Sequence, residues 1–284
     1  MKNLIRPLFT FLALAAGFAA AAQLLPKENS LLWEVSGNGL KSPSYLYGTV
    51  HMICEKDYVM KDKATKAFEK TAVLALEVNV SDPKEMAAMQ QSVMGKSKLS
   101  NVLTAAQQKE LNETLQKSGL TLHQLDSYSL FAVMSILSMQ SFGCSDYKMY
   151  EMEFAAKAKE RNMPVIGLET IQSQFDIVNN AYTTDEMISY LKTISAAETQ
   201  KLVADYIKED INAIYSKSAD PETMNERTKA MMLDSRNSNW IEKMPGLMKN
   251  GSVFFAIGAA HLPGDTGIIY LLRKAGYTVK PVMQ

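Results

Sequence analysis

The chain has 284 residues, and at 47% hydrophobic and 21% charged it excludes a disordered or fibrous protein. Lys plus Arg and Asp plus Glu each number 30, so there is no global basic field to draw in nucleic acid. Two isolated cysteines exclude a multi-cysteine zinc knuckle.

In chain order, Lys2 and Arg6 precede the apolar run LFTFLALAAGFAAAA, and Ala20-Ala21-Ala22 before Gln23 fits the small-x-small cleavage rule. The run is shorter than the ~20 residues a bilayer span needs. Residues 1–22 therefore read as a signal peptide and 23–284 as a single domain, with an uncleaved anchor as the alternative. The expected product is exported, periplasmic or secreted, and has no stable membrane span after cleavage. In an oxidising compartment Cys54 and Cys144 are expected to form one disulfide, two separate buried thiols being the other reading.

SLLWEVSGNG and SYLYGTV read as two strands separated by the turn residues Gly37-Asn38-Gly39 and Ser42-Pro43. AVLALEVNV (72–80) reads as a third strand covered on both faces. From Asp82 to about Asn250 apolar residues recur at helical spacing, interrupted by one short strand over Met163–Leu168. SVFFAIG (252–258), a helix from about Thr266 to Ala275, and YTVKPV close the chain. The pattern predicts an α+β fold: a central mixed sheet of N- and C-terminal strands with a large helical insertion.

Two of the three histidines share one local context. In YLYGTVH, His51 stands three residues after Gly48, and in FFAIGAAH, His261 stands three residues after Gly258; each motif ends an apolar strand. Strand carboxyl ends are where open α/β sheets bind ligands, and glycine there permits a sharp turn or a close approach. Imidazole is a common metal ligand and a general base near neutrality. The competing reading is a structural hydrogen-bonding role for each. His123 has no such setting and reads as a surface or capping residue.

Glu77 interrupts LALEVNV, where a buried charge needs a partner or a metal. Its alternative is an edge-strand acid that faces solvent or pairs with arginine. Glu169 ends the VIGL strand as a candidate general base or further ligand, or as a helix N-terminal acid. Arg236 suits a developing oxyanion, or else lies on a helix surface. His51, Glu77 and His261 are thus candidate ligands for a divalent ion (Mn, Zn, Co or Fe) that would activate water.

Together YLYGTVH, LALEVNV, PVIGLET with its following Gln174, the RN…W helix around Arg236 and the terminal GAAHLPGDTGIIYLLRKAGYTVKPV resemble the TraB/GumN family, the TraB/PrgY/TIKI group. The resemblance implies a fold shared with erythromycin esterase and ChaN-like proteins, and a metal-dependent hydrolase acting on a peptide or small acyl substrate. It places His51, His261 and Glu77 in the site and, more loosely, Glu169, Gln174 and Arg236. A non-catalytic haem- or peptide-binding envelope protein using the same histidines is the alternative expectation.

Overall fold

The computed structural model describes residues 25–283, so the expected signal peptide lies outside the described residues. Among the described residues there are eight strands: β1 (Leu32–Ser36), β2 (Ser44–Thr49), β3 (Met52–Cys54), β4 (Val73–Leu76), β5 (Tyr147–Met149), β6 (Val165–Gly167), β7 (Val253–Gly258) and β8 (Thr278–Pro281). Six of them form one mixed sheet in the order β6-β4-β7-β2-β1-β8. This is the expected architecture, with strands from both chain ends and helices inserted between them.

The arrangement follows from side-chain chemistry. β2 and β7 are buried at every position, as strands covered on both faces must be. β1 and β2 make an antiparallel pair, and β8 adds antiparallel to β1. β2, β7, β4 and β6 run parallel to one another, so all four carboxyl ends reach the same sheet edge. The main core includes Trp33, Tyr47, Phe154, Phe254, Phe255 and Trp240. A satellite core of Leu99, Leu111, Leu115, Val133, Leu137 and Ile188 holds part of the helical insertion together.

The third strand differs from its sequence reading. The nine-residue apolar run yields a strand that stops at Leu76, so Glu77 stands just past it rather than inside it. Burial explains why the run misleads: residues 74–78 are all buried, but only the first part is paired on both sides. A small ladder of β3 with β5 was not expected; each strand has only three residues. Beside it Cys54 and Cys144 form the expected disulfide. No helix among the described residues is long and apolar enough to cross a membrane.

Candidate active site

Four strand ends deliver the site. β2 leads into His51, β4 into Glu77, β6 into Glu169, and β7 ends at Gly258, three residues before His261. Backbone hydrogen bonds from Leu168 to Leu76 (2.8 Å) and from Glu169 to Glu77 (2.9 Å) extend the β4–β6 pairing and set the two acids side by side.

The motif glycines permit close approach rather than a turn, for neither has a positive φ. A Cβ on Gly48 would lie 3.0 Å from Ala259 and Leu262, so the turn after β7 packs onto β2 only because that position is bare. A Cβ on Gly258 would meet Glu77 Oε1 at 3.2 Å, His51 Nε2 at 3.3 Å and His261 Cδ2 at 3.5 Å. The two imidazoles are therefore no farther apart than the sum of the last two distances. The two motifs interlock: each glycine makes room for the other's turn or histidine.

His51 sits in the left-handed region at φ 58°, uncommon for a residue with a side chain but several-fold enriched for histidine. Its Nδ1 bonds Glu151 Oε1 at 2.8 Å, and its Nε2 faces Glu77 Oε1 at 4.0 Å. Glu151 is buried and also accepts from Thr49 Oγ1 at 2.7 Å. Packing around the ring opposes its charge, but Glu151, and behind it Glu77, outweigh that and raise the pKa to about 9. The side chain keeps 56% of its surface open.

Glu151 escaped the sequence reading. It lies in the first turn of the helix Tyr150–Glu160, where an acid is ordinary. A signal was present: Glu151 falls on the buried stripe with Phe154, Ala155 and Ala158. The β3–β5 ladder carries this turn to the site, since Tyr150 N donates to His51 O at 2.9 Å.

His261 is buried and held differently. Asn237 Nδ2 donates to Thr266 O at 2.9 Å, which leaves Oδ1 to accept from His261 Nδ1 at 2.6 Å. The ring proton therefore sits on Nδ1, and the Nε2 lone pair accepts from Arg236 Nη1 at 3.0 Å. Burial, then the guanidinium, depress its pKa to about 3, so it is neutral.

Arg236 is the hub. It follows a π-helical turn, Ala230–Asp234, a feature frequent at functional sites. Nε and Nη2 donate to Glu169 Oε1, Nη2 also to Glu77 Oε2, and Nη1 to His261 Nε2 and Met232 O. All five guanidinium N–H groups are thereby used. The cation also stacks 4.9 Å from the Trp240 ring. Burial would raise the pKa of Glu77, but Arg236 and then His51 hold it far below the usual carboxylate range. Gln174 Nε2 donates to both Glu169 (2.8 Å) and Glu77 (3.2 Å).

A cleft of about 690 Å³ opens at this edge, within the ~300–1,000 Å³ typical of ligand sites. His51, Arg236, Gly258 and His261 line one end, and largely apolar side chains such as Phe142, Tyr190 and Leu202 continue the wall. Glu77 and Glu169 stand behind Arg236 and do not line the cleft. All five expected site residues are thus brought together, while His123 takes no part in their hydrogen-bond network and is exposed on the helix Leu122–Leu125.

The three expected ion ligands do not present three free donor atoms. Glu77 Oε2 and His261 Nε2 are spent on Arg236, leaving His51 Nε2 and Glu77 Oε1. Among the described residues no group of three or more His, Cys, Asp or Glu side chains is arranged to hold a metal ion.

Residues 31–281 match the model of the TraB/PrgY/gumN family. The chain is 22% identical to the metalloprotease TIKI2 of Danio rerio, an alignment covering 89% of this chain and 61% of that protein. It is also 22% identical to the metalloprotease TIKI1 of Xenopus tropicalis, covering 88% and 61%. An uncharacterized protein of Treponema pallidum is 21% identical, with 90% and 83% covered. The chain spans about three fifths of the length of these TIKI relatives.

Proposed function

Because this chain belongs to the TraB/PrgY/gumN family, and its strand ends converge on one cleft, we propose that it is a hydrolase of peptidase type acting on a peptide or small acyl substrate. The observation that carries this is the His51–Glu151 pair, with its open imidazole edge facing the cleft next to Glu77. The name metalloprotease borne by relatives supports peptide-bond cleavage in the family. That name also raises a divalent ion, for which His51, Glu77 and His261 are the candidate holders. The donor geometry does not fit such an ion, and no step below uses one.

The chemistry follows from which groups reach the substrate. Glu151 accepts at Nδ1 and orients the ring, so Nε2 of His51 is the atom that takes a proton from water. The water oxygen bonds to the scissile carbonyl carbon while the C=O π pair moves to oxygen. On collapse the C–N or C–O bond breaks, and the leaving group takes the proton back from Nε2. Arg236 faces the cleft as a fixed positive charge whose donors are already engaged; His261, Glu169 and Gln174 hold it in place. Glu169 works through Arg236 in this reading rather than as a base.

The Cys54–Cys144 disulfide supports an exported, periplasmic or secreted setting. N-terminal sequencing of the mature protein should then begin at Gln23. The hydrolase reading is tested by digesting a defined peptide library and reading new termini by mass spectrometry. It is sustained if cleavage occurs and disappears in His51→Ala, and lost if the wild-type protein cleaves nothing.

A further inference from the structure

We infer that the Arg236 guanidinium is the resident cation of this site, standing where a divalent ion bound by Glu77, Glu169 and His261 would otherwise sit. The inference is independent of the hydrolase reading, because occupancy by metal is read directly and needs no substrate.

Three observations carry it. First, a divalent ion needs lone pairs at ~2.0–2.2 Å, and those of Glu77 Oε2, Glu169 Oε1 and His261 Nε2 are all engaged by Arg236 N–H groups. Second, the guanidinium is itself complete: it is buried, its five N–H groups are all engaged by four acceptors, and Trp240 covers its face. It pairs with two carboxylates that burial would otherwise leave without a cation in contact. Third, the donors left over are too few. His51 Nε2 and Glu77 Oε1 stand 4.0 Å apart, and the latter already accepts from Gly258 N at 2.7 Å. Glu169 Oε2 is also left without a hydrogen bond, yet among the described residues no three His, Cys, Asp or Glu side chains are arranged to hold an ion, against the three protein ligands usual for a catalytic one.

Asn237 makes the arrangement one-directional. By accepting from Nδ1 of His261 it keeps Nε2 an acceptor, the only form of the ring that receives Arg236. A lysine at 236 would bring one point charge and three donors in place of the planar five-donor fork.

The consequence is unusual: deleting the arginine should create a metal site. Removal frees two carboxylates and one imidazole lone pair on adjacent strand ends, with His51 close by as a fourth ligand. Wild-type protein incubated with Co²⁺, Mn²⁺ or Zn²⁺ and desalted is expected to retain less than about a tenth of an ion per chain. Arg236→Ala and Arg236→Met are expected to retain about one, at least ~100-fold tighter than wild type, with a cobalt ligand-field spectrum that His261→Ala in the same background removes. A variant that folds only when metal is added supports the inference equally, and circular dichroism with and without the ion reads this. If both variants fail to fold under either condition, the wild-type measurement alone decides. The inference is overturned if wild-type protein holds about one ion per chain that Glu77→Gln or His261→Ala releases, or if folded Arg236 variants bind metal no better than wild type.

Discussion

His51 combines three features that a structural histidine does not need: a left-handed backbone, a buried carboxylate on one ring nitrogen, and an opposite edge open to a cleft. Backbone held in that region costs on the order of 1–3 kcal/mol and persists where the surroundings impose it. His51→Ala should therefore fold, with stability within about 1–2 kcal/mol of wild type, while cleavage falls by at least ~10²–10⁴, the usual contribution of a positioned acid–base group. Thermal melting and steady-state kinetics read the two effects separately. The pH profile follows from the raised pKa. Neutral His51 is the base, so kcat/KM should climb about tenfold per pH unit below about 9 and level above it. Glu151→Gln removes the main group that raises this pKa, so the limb should move to lower pH while the maximal rate drops. A limb unmoved by that substitution would assign it to another group. Residues 51, 77, 169 and 261 were legible in the sequence because a charged or imidazole side chain in or just after an apolar strand stands out, whereas Arg236 was marked only as a helix arginine suited to a developing oxyanion. Glu151 was not, because helix periodicity tolerates an acid in a first turn and only its place on the buried stripe marks it.

The strands and turns explain why the glycines matter more for packing than for bending. Gly48→Ala would push a methyl to 3.0 Å from the backbone and side chain of Ala259, at the base of the turn that carries His261. Overpacking of this kind costs about 1–3 kcal/mol, so Gly48→Ala should lower the melting temperature and impair catalysis together. Gly39→Ala, where an added methyl meets nothing, offers a comparison limited to its φ of 79°. The β3–β5 ladder has only three residues a side, and the disulfide fastens its end to the loop after the helix Leu130–Ser141. Closing a loop of that length contributes ~4 kcal/mol in the chain-entropy model. Replacing both cysteines by serine should lower the melting temperature by roughly 10 °C for a chain of this size. The ladder was hidden from sequence reading because three-residue strands carry too little alternation to register. The long strands were visible, though β4 is shorter than its apolar run, since burial without pairing looks the same as strand in a hydrophobic pattern.

Across the whole molecule, the site's buried charges should shape stability against pH. His261 has a folded pKa of about 3 against about 6.5 when exposed, so between those values the unfolded chain binds the extra proton. Its contribution is present above about pH 6.5 and is lost as pH falls toward 3, and Glu77, also depressed, adds a loss below the ordinary carboxylate range. His51 acts in the opposite sense, its contribution present below about 6.5 and lost as pH rises through about 9. Melting temperature should therefore fall steeply below pH 6, and His261→Gln should flatten that slope. The fold brings this about by long-range closure: β2 from the start of the chain lies against β7 near its end, which is why a sequence with two distant Gly-x-x-His motifs pointed to one site. It could not reveal the contacts by which Arg236, on the helix Ser235–Asn250, joins Glu77, Glu169 and His261. The most direct measurement compares digestion of one peptide library by wild-type protein, His51→Ala and His123→Ala, each with and without EDTA. Cleavage by wild type and His123→Ala, unchanged by chelator and absent in His51→Ala, is the predicted result; cleavage that survives loss of His51 would contradict the account.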